Sequence, residues 1–344
     1  MRATFPTKTI RWTQYDQKTP ILLQEKNGPC PFIAIVNTLL LQDDIEARTV
    51  QLDSSDPSEC SSKTAGLRAL LKSANGRIDM EVITEELINY LVSYSGLNSE
   101  TLASVKSQIP GLVAGLDVDV NLTDGSCAKN CFAKTIFDAF SLNFVHGWCR
   151  EPTLGITSDA VFAELQTYDA LQDFLLKGNS ELAAEAQDWF VTNSTQLTEY
   201  GLQQMNQVLQ PDLVSVFFRN NHFSTLYKGT NQDLYLLITE RDFSKYRNYV
   251  WQSLNSVSGG EDLFFTGDLV PMFEESEPTS VGGVDLEMAR ALQEEEDSAI
   301  AAALQKKLNS KKPAPKTKDP PTTRQSQKST KDTKAKKKDA CVVV

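Results

Sequence analysis

Gln24-Glu25-Lys26-Asn27-Gly28-Pro29-Cys30-Pro31, followed directly by Phe32-Ile33-Ala34-Ile35-Val36-Asn37-Thr38-Leu39-Leu40-Leu41, is the stretch on which the reading of this chain turns. Asn-Gly-Pro is turn chemistry, and the run behind it is apolar enough for a buried helix, so Cys30 falls where the turn hands over to that helix. Pro31 suits the first helical position, which sets Cys30 beside the unpaired N–H groups and the positive end of the helix dipole. Both effects favour thiolate over thiol, the form that attacks a carbonyl. Gln24 lies upstream, where its amide can serve as second donor to an oxyanion hole. A cysteine alone at a helix start reads as a small buried apolar residue; Gln24 and the Asn-Gly-Pro turn move the reading to a nucleophile.

Composition narrows the class. With 344 residues, 40% of them hydrophobic, the chain can bury one large or two ordinary domains. No run reaches the roughly 18 apolar residues a spanning helix needs, and the first ten residues lack the apolar core of a signal peptide. The expected location is the cytoplasm, with the nucleus as a further possibility. The six cysteines, Cys30, Cys60, Cys127, Cys131, Cys149 and Cys341, are irregularly spaced and fit reduced thiols better than a disulfide framework. Cys127 and Cys131 are too widely spaced for a zinc knuckle and no paired histidines accompany them, so no metal and no cofactor is expected. Residues 309–344 carry eleven Lys/Arg against three Asp/Glu, leaving residues 1–308 with 23 against 42. An acidic body does not suit nucleic acid and can suit a basic protein partner.

Taken in order, residues 8–23 read as strand leading into the turn, and helical patterns follow at 66–73 and 80–94. Leu116-Asp117-Val118-Asp119-Val120-Asn121-Leu122 alternates as a half-buried strand does. Phe132–Phe140 reads as helix, Phe144–Trp148 as a short strand or tight loop, and 160–209 as helix broken at Gly178 and Gly201. Strands follow at 213–218, 223–227 and 234–239, then near 250–254 and 263–265. The layout is α+β, with the nucleophile on an early helix and a twisted antiparallel sheet late in the chain. A catalytic body over 1–270, an acidic, Gly-containing linker over 271–284, a helix over 285–308 and a disordered basic tail over 309–344 complete the expected organisation.

A cysteine nucleophile needs an imidazole partner, and the chain has two histidines. His222 sits after an Asn-Asn corner at the start of a strand, where rigid elements aim a side chain into a cleft. His146, beside Gly147-Trp148 in an apolar setting, reads as a satisfied structural residue or a surface contact. Thr239 and Glu240, at the end of the next strand, are both open as the residue that orients the His222 ring. Gln24 with Asn27–Pro31, the block Leu116–Val120, His146-Gly147-Trp148 and above all Val216-Phe217-Phe218-Arg219-Asn220-Asn221-His222-Phe223-Ser224-Thr225 closely resemble the MINDY family of deubiquitinases. The resemblance runs from about Ile10 to Leu269. It implies a papain-like cysteine protease fold of its own type and hydrolysis of isopeptide bonds in lysine-48-linked polyubiquitin. By matching positions it makes Cys30 the nucleophile, His222 the base, Gln24 the oxyanion donor and Thr239 a supporting residue. Related sequences tend to carry Asp after that threonine, where this chain has Glu240.

Two further features lie behind the body. Asp285, Met288, Ala289, Leu292 and Glu296 share one helical face, and a small Ala between apolar neighbours with acids at the ends resembles an inverted ubiquitin-interacting motif; the competing reading is a solvated helix. Lys334–Lys338 and Cys341-Val342-Val343-Val344 have the form of a polybasic segment with a prenylation box, which would place the protein peripherally on a membrane surface. A plain basic tail or nuclear-import segment is the alternative. A catalytically silent, membrane-tethered polyubiquitin-binding adaptor stands beside the deubiquitinase as the second functional reading.

Overall fold

The computed structural model describes residues 3–12, 15, 17–25, 28–53, 62–152, 162–177 and 181–272. The expected linker beyond Met272, the helix carrying Asp285, Met288, Ala289, Leu292 and Glu296, and the tail with Cys341 lie outside the described residues. So do Lys26 and Asn27 of the opening turn.

The organising element is α1 (Cys30–Asp53). Residues 32–41 are buried without a break, and a helix apolar on every face needs cover on every face. One side is covered by a three-stranded sheet of order β2-β1-β3, from β1 (Thr4–Trp12), β2 (Gln17–Leu22) and β3 (Arg77–Asp79). The other side meets a six-stranded sheet in sequential order, β4 (Asn143–His146), β5 (Leu213–Arg219), β6 (His222–Lys228), β7 (Leu234–Leu237), β8 (Trp251–Ser253) and β9 (Phe264–Phe265). One core joins Phe5 and Leu22 of the small sheet, Phe32 to Leu40 of α1, and Val216, Phe218 and Phe223 of the large one. The later turns of α1 turn polar and are tied down by charge: Asp44 takes Arg68 at 2.6 Å and the Thr19 hydroxyl. Trp12, Tyr15, Tyr227 and Trp251 form an aromatic cluster, and the hydroxyls of Tyr15 and Tyr227 both donate to Asp212, at 2.5 and 2.9 Å.

The helices α2 (Ala65–Ser73), α3 (Met80–Tyr94), α4 (Ser99–Gln108) and α5 (Phe132–Ala139) precede β4. Between β4 and β5 come α6 (Tyr168–Lys177), α7 (Glu181–Thr192) and α8 (Glu199–Val208). The mixed α+β layout agrees with the sequence reading, with three differences. The late sheet is not wholly antiparallel, because β4 pairs parallel to β5. The segment 116–122 keeps its alternation, with Val118, Val120 and Leu122 buried, yet forms no strand. Its main chain is shared between two returns, Asn121 N–H to the Ser126 carbonyl and Leu122 N–H to that of Gln166, so only isolated bridges result. Gly201 does not break a helix. It lies inside α8, where a Cβ would run into the Gly147 carbonyl, so glycine there is a close-approach residue holding α8 on the His146-Gly147-Trp148 loop.

Candidate active site

β2 ends at Leu22, and the chain then runs beside the segment that follows β7. The Gln24 N–H donates to the Thr239 carbonyl at 2.7 Å and its own carbonyl accepts from Arg241 N–H at 2.9 Å, a parallel bridge opposite Glu240. The loop then folds tightly. Gly28 N–H reaches the Glu25 carbonyl at 2.7 Å, and a Cβ on Gly28 would stand 2.9 Å from that oxygen and 3.2 Å from Gln24 Cγ. Glu25 is held from outside by Arg77 at 2.7 Å, whose guanidinium is the main reason its carboxyl sits below the usual range.

One oxygen gathers the groups singled out in the sequence. The Gly28 carbonyl accepts from the backbone N–H of Cys30 at 2.9 Å and from Gln24 Nε2 at 3.2 Å. Helix α1 starts at Cys30 itself, and Ile33 N–H reaches the Pro29 carbonyl at 3.2 Å, so Pro29 caps the helix and Pro31 is its second residue, not its first.

α1 runs along β6. Thr225 Oγ1 meets Thr38 Oγ1 at 3.1 Å and the Ala34 carbonyl at 3.4 Å. Cys30, Ala34 and Thr38 form one i, i+4, i+8 line. At its start a backbone hydrogen bond joins the Cys30 thiol to Phe223, the residue after His222. The β5–β6 turn that delivers His222 is built by Asn220 and Asn221, with φ of 51° and 58°, the left-handed pair that a two-residue hairpin with the right twist demands. Arg219 pairs with His222 and anchors the turn by donating to the Thr195 and Val257 carbonyls at 3.1 and 2.7 Å. His222 is half-buried, and no hydrogen bond joins its ring to the Cys30 thiol or to another side chain among the described residues. Thr239 enters through its carbonyl on Gln24, and the Glu240 carboxylate bears on Lys8, whose ammonium burial pushes down to about 8 against that charge.

The protonation states differ from the sequence expectation. Burial pushes the Cys30 thiol up, and the Phe223 hydrogen bond and its own N–H only partly oppose this. Burial pushes the His222 imidazole down to about 4. Both directions favour thiol and neutral imidazole over thiolate and imidazolium, because desolvation of a charge outweighs the helix terminus.

His146 is structural. Its Nδ1 accepts from Trp148 N–H at 3.1 Å, which leaves Nε2 to donate to the Asn121 carbonyl at 3.0 Å. With 1% of its surface exposed the ring is held neutral, its pKa pushed down to about 4 by burial. Asn37 was not singled out from the sequence. Fully buried, it accepts from Leu22 N–H at 2.8 Å and donates to the Leu22 carbonyl at 3.0 Å, locking the end of β2 onto α1 two residues before Gln24. Its signal was present: an amide inside an unbroken apolar run must find partners. A second thiol also stands out. Cys131 precedes α5; its sulfur accepts from Asp119 N–H at 3.3 Å and takes a hydrogen bond from the Cys127 thiol, while its carbonyl accepts from Lys134 N–H at 3.1 Å. These donors pull it down to about 6, while Cys127 is pushed up. Among the described residues no group of three or more His, Cys, Asp or Glu is arranged to hold a metal ion.

A cysteine at a helix start, a histidine opening the strand it packs on and two amide donors aimed at one oxygen are the equipment of a thiol hydrolase. The family model for MINDY deubiquitinase matches residues 3–269, and the chain belongs to that family. It is 31% identical over 270 residues to ubiquitin carboxyl-terminal hydrolase MINDY-2 of Homo sapiens, covering 73% of this chain and 39% of that protein. It is 28% identical over 312 residues to MINDY-1 of Rattus norvegicus, covering 86% and 59%. MIY1 of Saccharomyces cerevisiae is 28% identical over 283 residues, covering 78% and 72%. The chain thus spans about two-fifths of the length of the MINDY-2 relatives it matches.

Proposed function

We propose that this chain is a cysteine-type deubiquitinase of papain-like arrangement that hydrolyses isopeptide bonds in lysine-48-linked polyubiquitin. Family membership supports the reaction class, and one observation supports the assignment of residues: the Cys30 N–H and Gln24 Nε2 converge on a single acceptor, the Gly28 carbonyl oxygen, at 2.9 and 3.2 Å. Two donors within reach of one oxygen are what a developing oxyanion requires. In the resting loop Gly28 takes that place, so substrate binding has to displace its carbonyl.

Cys30 attacks the isopeptide carbonyl carbon as His222 takes the thiol proton. The oxyanion forms against Cys30 N–H and Gln24, and the imidazolium returns the proton to the departing lysine amine. Water, deprotonated by His222, then releases the thioester. A neutral imidazole suits the first step, because only that form accepts a proton. Thr239 acts as support by fixing the Gln24 main chain. The face Asp285, Met288, Ala289, Leu292 and Glu296 adds a second weak ubiquitin contact and raises avidity for long chains, and the basic residues of 309–344 favour a membrane surface on the cytoplasmic side.

The test is a panel of di- and tetraubiquitins of defined linkage, with a ubiquitin probe bearing a carboxyl-terminal electrophile. Cleavage of lysine-48 chains ahead of the others, with probe adduct on Cys30, is the expected result. No adduct on Cys30 together with retained chain binding would replace this reading with the silent adaptor. Equal cleavage of all linkages would remove the lysine-48 preference alone.

A further inference from the structure

Cys127 and Cys131 play no part in the proposed hydrolysis, yet the fold brings them together with some elaboration. The segment 116–131 loops back on itself through the Val120–Cys127 bridge, and a turn with Cys131 N–H on the Ala128 carbonyl at 3.0 Å returns the chain beside Cys127. The Cys127 thiol donates to the Cys131 sulfur, the Asp119 N–H donates to it at 3.3 Å, and the Asp117 carbonyl stands 3.8 Å from it. Cys127 is buried, whereas Cys131 is half-buried and lines an open cavity of about 550 Å³ together with Asp117, Asp119, Asp169 and Phe132.

We propose that Cys127 and Cys131 form an oxidisable dithiol, in which Cys131 is the attacking and Cys127 the resolving sulfur and a hydroperoxide is the oxidant. The Cys131 thiolate attacks the distal oxygen of ROOH, the O–O bond breaks, and RO⁻ leaves and takes a proton, giving sulfenic acid at Cys131. Cys127, already in hydrogen-bond contact, attacks that sulfur; an S–S bond forms, the S–O bond breaks and water leaves with the Cys127 proton. The two thiols lose two electrons and ROOH becomes ROH and water. This site is independent of the functional reading of Cys30.

The charged groups around Cys131 oppose one another. Asp117, Asp119 and Asp169 line its cavity and disfavour an anion, Lys129 on the same lining favours one, and Asp169 is itself raised by burial first and by Asp119 and Asp117 second. Lys134 and Asp138, an ion pair at 2.7 Å, largely cancel. The balance is carried by the donors on the sulfur, not by a net positive field. Against Cys30, whose thiol burial pushes up, Cys131 carries the larger thiolate fraction at neutral pH, and the lower nucleophilicity of a more acidic thiol offsets only part of that advantage.

The experiment uses the full chain, one equivalent of hydrogen peroxide, acid quench, blocking of free thiols and tryptic digestion without reductant. Trypsin cuts after Lys129, between the two cysteines, so the disulfide is read directly as peptides 107–129 and 130–134 joined. The expected result is that link, formed while Cys30 is still free to be blocked. In Cys127→Ser the link is lost and a dione probe captures sulfenic acid on Cys131. Alkylation of Cys131 levels off by pH 7, whereas that of Cys30 still climbs at pH 9. Oxidation of Cys30 first, a link to any other cysteine, or Cys131 passing to sulfinic acid unlinked in the wild-type chain overturns the proposal.

Discussion

Cys30 and Cys131 each stand at the start of a helix with backbone N–H groups near the sulfur, and their acidities are driven in opposite directions. The difference lies in what surrounds each helix start. α1 enters the contact between two sheets, and its first turns are buried all round, so a charge at Cys30 is stripped of water. The start of α5 opens on a cavity, and the Cys131 sulfur takes the Asp119 N–H and a neighbouring thiol. A helix terminus contributes about 0.3–1 kcal/mol, less than one pKa unit, whereas desolvation of a buried ion shifts a pKa by several. Position at a helix start therefore does not by itself make a thiolate.

The comparison breaks most sharply on turnover. Cys30→Ala is expected to lower hydrolysis of lysine-48-linked chains by about 10³-fold or more, with chain binding kept, while Cys131→Ser stays within about twofold of wild type. Initial rates on tetraubiquitin measure both. The opposite ranking would make the Cys131 cavity the reactive centre.

Much of the architecture was legible because local pattern and tertiary role agree. The run Phe32–Leu41 announces a helix buried on all sides, and Asn220-Asn221 announces the tight hairpin that presents His222. The alternation at Leu116–Leu122 was read correctly for burial and wrongly for pairing, because alternation reports which face is covered and not where the main-chain bonds go. Gly201 reads locally as a break, since closeness to Gly147 depends on how α8 packs, and no local signal carries that. The contact between Cys127 and Cys131 was missed for a related reason: their spacing was weighed only as a metal motif, and the turn that folds one onto the other depends on Asp119 and Ala128. The occupation of both Gln24 and Cys30 donors by the Gly28 carbonyl is likewise a matter of ångströms.

His146 sharpens the comparison from the Cys131 side, since its ring and main chain hold the loop 121–125 through the Asn121 and Gly125 carbonyls at 3.0 Å each. Its folded pKa of about 4 lies below the 6.5 of a free imidazole, so between those values the unfolded chain binds more protons and stability falls as pH falls. The full window corresponds to about 3 kcal/mol. His146→Gln is expected to be less stable at pH 7 and to lose roughly one proton of the dependence between pH 6.5 and 4, measured by urea unfolding at a series of pH values. An unchanged slope would mean that the ring is protonated in the folded chain, contrary to its bonding.

Asn37 sharpens it from the Cys30 side. Its amide satisfies both main-chain groups of Leu22, and truncation in Asn37→Ala leaves a buried N–H and a buried carbonyl without partners, at about 1–3 kcal/mol each before relaxation; a net loss of about 2 kcal/mol is expected. Because β2 passes from Leu22 to Gln24 in two residues, the same change loosens the Gln24 amide relative to Cys30 N–H. The oxyanion contact matters only once charge has moved onto oxygen, so kcat falls by about tenfold with KM little changed. Asn37→Asp keeps the acceptor for Leu22 N–H but buries a carboxylate against the Leu22 carbonyl, so it is expected to be at least as unstable as Asn37→Ala at neutral pH and to recover as falling pH protonates the carboxyl. The Cys131 alkylation profile, resting on a different loop, does not move in either variant. Loss of stability with kcat unchanged would reduce Asn37 to a packing residue and detach the placement of Gln24 from the helix that carries Cys30.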